Sequence, residues 1–180
     1  MRSFAIAISY VMLAGALACT TTASDDRFVQ TSLPDRGSFG PASALLDVRC
    51  GSTDCHGNVA RNLRLYGSAG LRLSSSDRSL DPLCNTQDEI TQDYISVIGL
   101  EPEIISAVAA GGDPGTLTIV RKARGTEAHK GDQIWTTGDD SDVCLTSWLT
   151  GAANTAACSR ALASVLPGGS QNPLTQCAPP

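Results

Sequence analysis

"TQDEITQDYISVIGLEPEIISAVAAGG", Thr86 to Gly112, decides the fold class. Thr86-x-x-Glu89 is a capping box: the threonine hydroxyl can take the amide three residues on, while the glutamate reaches back to the threonine amide. Ile90, Tyr94 and Val97 then fall on one helical face. Pro102 suits the first turn of a second helix, and Gly111-Gly112 stops it. Two helices in succession set the pattern for the neighbouring segments.

Upstream, "PASALLDVRC" (Pro41 to Cys50) places Ala44, Leu45 and Val48 on one face running into Cys50. Downstream, "GTLTIVRKARG" (Gly115 to Gly125) is a short apolar run open to helix or strand. "DSDVCLTSWLTG" (Asp140 to Gly151) begins with Ser or Asp caps, puts Leu145, Trp148 and Leu149 on one face and stops at Gly151. "NTAACSRALASVLPGG" (Asn154 to Gly169) ends in the same way. "NLRLYGSAGLRL" (Asn62 to Leu73) differs: Leu63 and Leu65, then Leu71 and Leu73, alternate around a Gly-Ser-Ala-Gly turn, as in a short hairpin or an extended loop. The expectation is a small, mainly α, disulfide-stabilised fold of four to six short helices around one core. The chain has 180 residues, of which 42% are apolar and 4% aromatic, so aliphatic side chains must supply most of that core. The net charge of −5, with no basic stripe, speaks against a nucleic-acid partner.

The ends read differently. Arg2 precedes the apolar run Phe4 to Leu17, which is short for a membrane span and suits an export signal over 1–18. "ALAC" closes it, and resembles the lipobox of bacterial lipoproteins, although its leucine lies two residues before Cys19 rather than three. That resemblance implies lipidation (acyl chains such as palmitate) of Cys19 and membrane anchoring. Thr20 after the cysteine implies outer-membrane sorting in enteric-type bacteria. A plain periplasmic or secreted protein is the alternative. Residues 19–42 then form a polar tether, 43–166 the folded domain and 167–180 a Pro/Gly-rich tail.

Seven cysteines is an odd number for an exported chain. Spending Cys19 on a lipid leaves Cys50, Cys55, Cys84, Cys144, Cys158 and Cys177, in a compartment that permits disulfides. Cys144–Cys158 would tie two consecutive helices, and Cys84–Cys177 would pin the tail.

"VRCGSTDCHGN", Val48 to Asn58, carries the chemistry. Two thiols that add to porphyrin vinyl groups, followed at once by a histidine for the iron, make a covalent haem site. Here the spacer is four residues, and Gly51 and Ser52 ease the bulge it needs. Cys50 and Cys55 would form the thioethers and His56 the proximal ligand. Methionine occurs only at positions 1 and 12, so a His/Met site is excluded in the mature chain and His129 is the candidate sixth ligand. A bis-histidine haem would have a comparatively low reduction potential. Zinc on Cys50, Cys55, His56 and His129 is a second reading. A Cys50–Cys55 disulfide with His56 a bystander is a third, and it implies a cofactor-free envelope lipoprotein with a binding or structural role.

On these residues, "LLDVRCGSTDCHG", "HKG" and "DDSDVCLTSWLTGAA", the chain resembles small c-type cytochrome-like domains of exported bacterial lipoproteins over roughly residues 42 to 152. The resemblance implies a haem in a crevice between terminal helices, Trp148 packing near it, and single-electron transfer rather than enzymatic turnover. Arg61, Arg64, Tyr66 and Arg72 could then pair with propionates. Arg121, Lys122, Arg124 and Lys130 could dock an acidic redox partner. No hydrolase constellation stands out, "GSAG" and "GGDPG" lack the residues of a phosphate loop, and "GDDSD" lacks calcium-loop spacing.

Overall fold

The computed structural model describes residues 31–74, 85–151 and 153–166. The signal segment, Cys19, and the expected Cys84–Cys177 pair lie outside the described residues. Among those residues no helix is long and apolar enough to cross a membrane. The fold is mainly α, as the sequence predicts. Among the described residues its helices are α1 (Gly40–Cys50), α2 (Gln87–Ile98), α3 (Pro102–Ala109), α4 (Thr118–Ala123), α5 (Asp140–Leu149) and α6 (Thr155–Ala163), with a 3₁₀ turn at Pro114–Thr116.

Most starts have a local cause. The Thr86–Glu89 capping box forms in both directions, at 3.2 and 3.0 Å. Pro41 and Pro102 occupy first turns. Asp139 caps α5 through the Asp142 amide and Asn154 caps α6 through the Ala157 amide. The ambiguous run at 115–125 is helical because Glu101 caps it from outside: its carboxylate takes the Thr118 amide at 2.6 Å and the Thr118 hydroxyl at 3.0 Å. After α3 the chain turns at Gly111, whose φ of +104° is open to glycine at little cost.

Helix α1 is central. It packs on α2, α5 and α6, and residues 42–47 are all buried, so it has no solvated face along that stretch. Helices α5 and α6 form a hairpin closed by the Cys144–Cys158 disulfide, with Cα atoms 4.6 Å apart. Phe39, Tyr94 and Trp148 meet as an aromatic cluster, with centroids 4.4 to 6.1 Å apart.

The structure moves one boundary. Residues 31–39, expected to lie in the tether, belong to the compact unit that begins at Thr31. Phe39 is fully buried, the Trp148 indole donates to the Asp35 carbonyl at 2.8 Å and the Tyr94 hydroxyl donates to the Pro34 carbonyl at 3.0 Å. A polar composition hid two backbone acceptors and one aromatic anchor. The hairpin alternative at 62–73 is also corrected. Residues 51–74 hold no strand, only an isolated bridge between Tyr66 and Leu71, so the segment is the extended loop.

Candidate functional site

The Cys50–His56 segment leaves the C-terminus of α1 and folds back on itself at once. The His56 amide donates to the Cys50 carbonyl at 2.9 Å, and the amides of Cys55 and Gly57 both donate to the Ser52 carbonyl at 2.9 Å. The four-residue spacer is thus a closed turn, with Ser52, Thr53 and Asp54 facing solvent. Gly57 is what lets the turn seat. A methyl there would run into the Gly51 carbonyl oxygen and come within 2.7 Å of the Gly70 Cα. Backbone packs on backbone, and only glycine fits.

The Leu63 carbonyl sets the orientation of His56. It lies 3.1 Å from His56 Nδ1 and so receives that nitrogen's proton, which leaves Nε2 as the lone-pair donor. Burial holds the His56 imidazole below its ordinary value, and the nearby His129 adds to the effect. At neutral pH the ring is therefore the neutral species that a metal needs. The two histidine rings lie 6.0 Å apart, centroid to centroid, and within 15° of parallel. His129 comes from the loop after α4. Gly131 closes on it so tightly that a Cβ there would stand 3.0 Å from His129 Cε1.

Both histidines and Cys50 line one cavity of about 470 Å³. Its walls come from α1 (Leu46), the loop (Leu63), α4 (Ile119, Ala123) and the segment before α5 (Ile134, Trp135). That volume suits a drug- or cofactor-sized molecule. Cys50 and Cys55 are not joined to each other. Burial, with Cys55 adjacent, pushes the Cys50 thiol up to about 12, so it stays protonated and is a poor nucleophile for disulfide exchange.

Three observations bear on whether these residues fit a haem. The two imidazoles stand 6.0 Å apart, centre to centre, on the same cavity. His129 Nδ1 and Trp135 Nε1 are buried polar atoms without a partner, both on cavity-lining residues. Two unjoined thiols flank the first histidine. The residues fit. The zinc set does not assemble: no group of three or more His, Cys, Asp or Glu side chains able to hold a metal ion occurs among the described residues.

Other sequence candidates are displaced. Trp148 does not line the cavity; it is spent on Phe39, Tyr94 and Asp35, and Trp135 takes the place beside the site. The cavity lies between α1, its following loop and α4, not between the terminal helices. Of the four residues considered for propionates, only Arg61 reaches the cavity, beside the unforeseen Asn62 and Lys122. Arg72 pairs with buried Glu89 at 2.9 Å, while Arg64 and Tyr66 line a neighbouring groove. In the basic stretch, Arg121 and Lys122 share Glu127, and Arg124 is clamped by both oxygens of Asp142 at 2.7 and 2.9 Å. Trp135 could have been suspected from "GDQIWTTGDD", where a lone large apolar pair interrupts a polar loop. Compared with protein-family models, curated proteins and solved structures, the chain matches none.

Proposed function

We propose that this chain is an exported, lipid-anchored c-type cytochrome-like protein that carries single electrons at the bacterial envelope, its cavity holding a covalently attached haem. One observation carries the reading: His56 and His129 face each other at 6.0 Å on a cavity that also takes Cys50, with Cys55 unjoined beside it. When bound, the haem supplies reversible one-electron chemistry at iron. The chain's own residues do the rest. Cys50 and Cys55 would fix the cofactor covalently, and His56, oriented by Leu63, and His129 would ligate the iron. Leu46, Leu63, Ile119 and Ile134 exclude water, which shifts the balance of charge states at the site. Cys19, as the lipid anchor, would hold the domain at the membrane, in the outer membrane by the Thr20 reading.

The test is a visible spectrum and a haem-stained denaturing gel on protein from its native host. A Soret band that survives denaturation, lost in Cys50→Ser/Cys55→Ser, is the expected result. Colourless protein with Cys50 bonded to Cys55 refutes it and returns the cofactor-free lipoprotein. Mass measurement of the N-terminal peptide checks the anchor: acylated Cys19 is expected, and an unmodified one means a soluble periplasmic or secreted protein.

A further inference from the structure

We propose that the groove beside the cavity, between residues 59–66 and the C-terminal half of α2, docks the acidic surface of a redox protein. Its purpose rests on the cytochrome-like reading; its geometry does not. Groove and cavity share a wall, because Ala60, Arg61, Asn62 and Leu100 line both. A protein seated in the groove is therefore one layer of side chains from the cavity, where a single-electron partner must come. One electron passes, the donor is oxidised as the acceptor is reduced, and no proton or group moves.

Charge identifies the partner. Arg61 and Arg64 line the groove, both exposed, and no carboxylate does. Arg61 donates to the carbonyls of Cys55 at 3.0 Å and Asp54 at 3.3 Å, contacts that orient the guanidinium without neutralising it. Neither arginine is ion-paired among the described residues. Glu101, the acid on the cavity side, has both oxygens on Thr118. Val59 and Ile95, 67% and 50% exposed, supply apolar area between the charges. Arginines around exposed aliphatic side chains are the make-up of a protein-docking patch. On a chain of net charge −5, the patch selects its opposite. The basic stretch at 121–130 is the weaker candidate, since three of its cations are already paired with Glu127 or Asp142.

The test uses the full chain, isotopically labelled, titrated with an oligoglutamate peptide at low ionic strength. Amide shifts confined to residues 59–66 and 92–100, reversed by added salt, are expected. Arg64→Glu, which touches the groove and not the cavity, should weaken binding roughly fivefold to tenfold with an otherwise unchanged amide spectrum. On haem-loaded protein the same variant should be oxidised several-fold more slowly by anionic hexacyanoferrate(III), and faster by a cationic cobalt(III) oxidant. Shifts at 121–130, no peptide binding, binding to phosphatidylglycerol vesicles in place of the peptide, or rates indifferent to Arg64→Glu overturn the proposal. Should the spectrum show no haem while the peptide still maps to 59–66, the cytochrome reading fails and the acidic-partner surface stands.

Discussion

Asp47→Asn should make the protein more stable at pH 8 and much less so at pH 5. Asp47 sits in the last turn of α1, fully buried, with neither carboxylate oxygen in a well-formed hydrogen bond. Burial pushes its pKa up to about 7; Arg72 and the Ser68 amide pull it back only in part, and Glu89 opposes them. Asp93, beside it, is also pushed to about 7 by burial, although the Tyr66 amide at 2.7 Å and the Ser43 hydroxyl at 2.8 Å both serve it. An aspartate in the unfolded chain titrates near 3.9, so the folded state binds the proton more tightly. The stabilisation from a neutral Asp47 is thus complete below about pH 4 and is lost as pH rises through about 7. Three pKa units correspond to about 4 kcal/mol in full, of which about 2.5 kcal/mol falls between pH 5 and pH 8. Asparagine cannot ionise. Urea unfolding at the two pH values should therefore show the variant gaining about 2 to 3 kcal/mol relative to wild type on going from pH 5 to 8. The variant should keep part of the wild-type pH slope, because Asp93 remains. Equal destabilisation at both pH values would refute the reasoning, since it would mean that Asp47 is ionised throughout and held by Arg72.

Removing the disulfide with Cys144→Ser/Cys158→Ser should cost about 3 kcal/mol in urea, the chain-entropy value for a loop of this size; a loss under about 1 kcal/mol would mean that the helix hairpin holds itself. Gly57→Ala should cost about 3 kcal/mol or more, because the methyl meets the Gly51 and Gly70 backbone rather than a side chain that can turn away. Wild-type stability in that variant would disprove the backbone-on-backbone seat. His129→Met, on haem-loaded protein, should raise the midpoint potential by on the order of 0.1 V, a fraction of the roughly 0.8 V that axial ligands span. A redox titration reads this directly, and an unchanged potential would remove His129 from the iron.

The helices were legible because their determinants are local. Thr86 with Glu89 and Pro102 act within a turn of their own positions, so spacing alone places them; Asp139 and Asn154 act as locally, though they were not singled out. The Cys144–Cys158 pair was legible for the same reason, as a tie between neighbours. What could not be read depends on partners distant in sequence. Thr118–Ala123 is helical because Glu101 caps it from the preceding segment. Phe39 is core because Tyr94 and Trp148 meet it, and nothing in "PDRGSFG" says so. Trp148 was placed near a cofactor by resemblance, yet α5 has one side toward the cluster with Phe39 and another toward α6. A tryptophan's presence on a helix does not say which neighbour takes it.

The site shows the same division, with a sharper consequence. That Cys50, Cys55 and His56 belong together follows from adjacency, and His129 came forward only by elimination among histidines and methionines. The distance between the two rings depends on a loop, residues 51–71, that has no regular secondary structure to stiffen it. Its rigidity has another source. Gly57 and Gly70 lie against the Gly51 carbonyl, the Leu65 amide donates to the His56 carbonyl at 2.9 Å, and Asp93 holds the Tyr66 amide from beneath. Arg72 and the Leu73 amide both fasten to buried Glu89, which also caps α2. The buried acids that look like a cost to stability are thus the posts to which the histidine loop is tied. Relieving Asp47 of its charge should leave those ties intact, because the Tyr66, Arg72 and Leu73 contacts belong to Asp93 and Glu89. Asp93→Asn should loosen the loop through the Tyr66 amide and disturb His56, whereas Asp47→Asn should not. Hydrogen exchange at the Leu65 and Tyr66 amides separates the two, and equal protection in both variants would disconnect the acid cluster from the site.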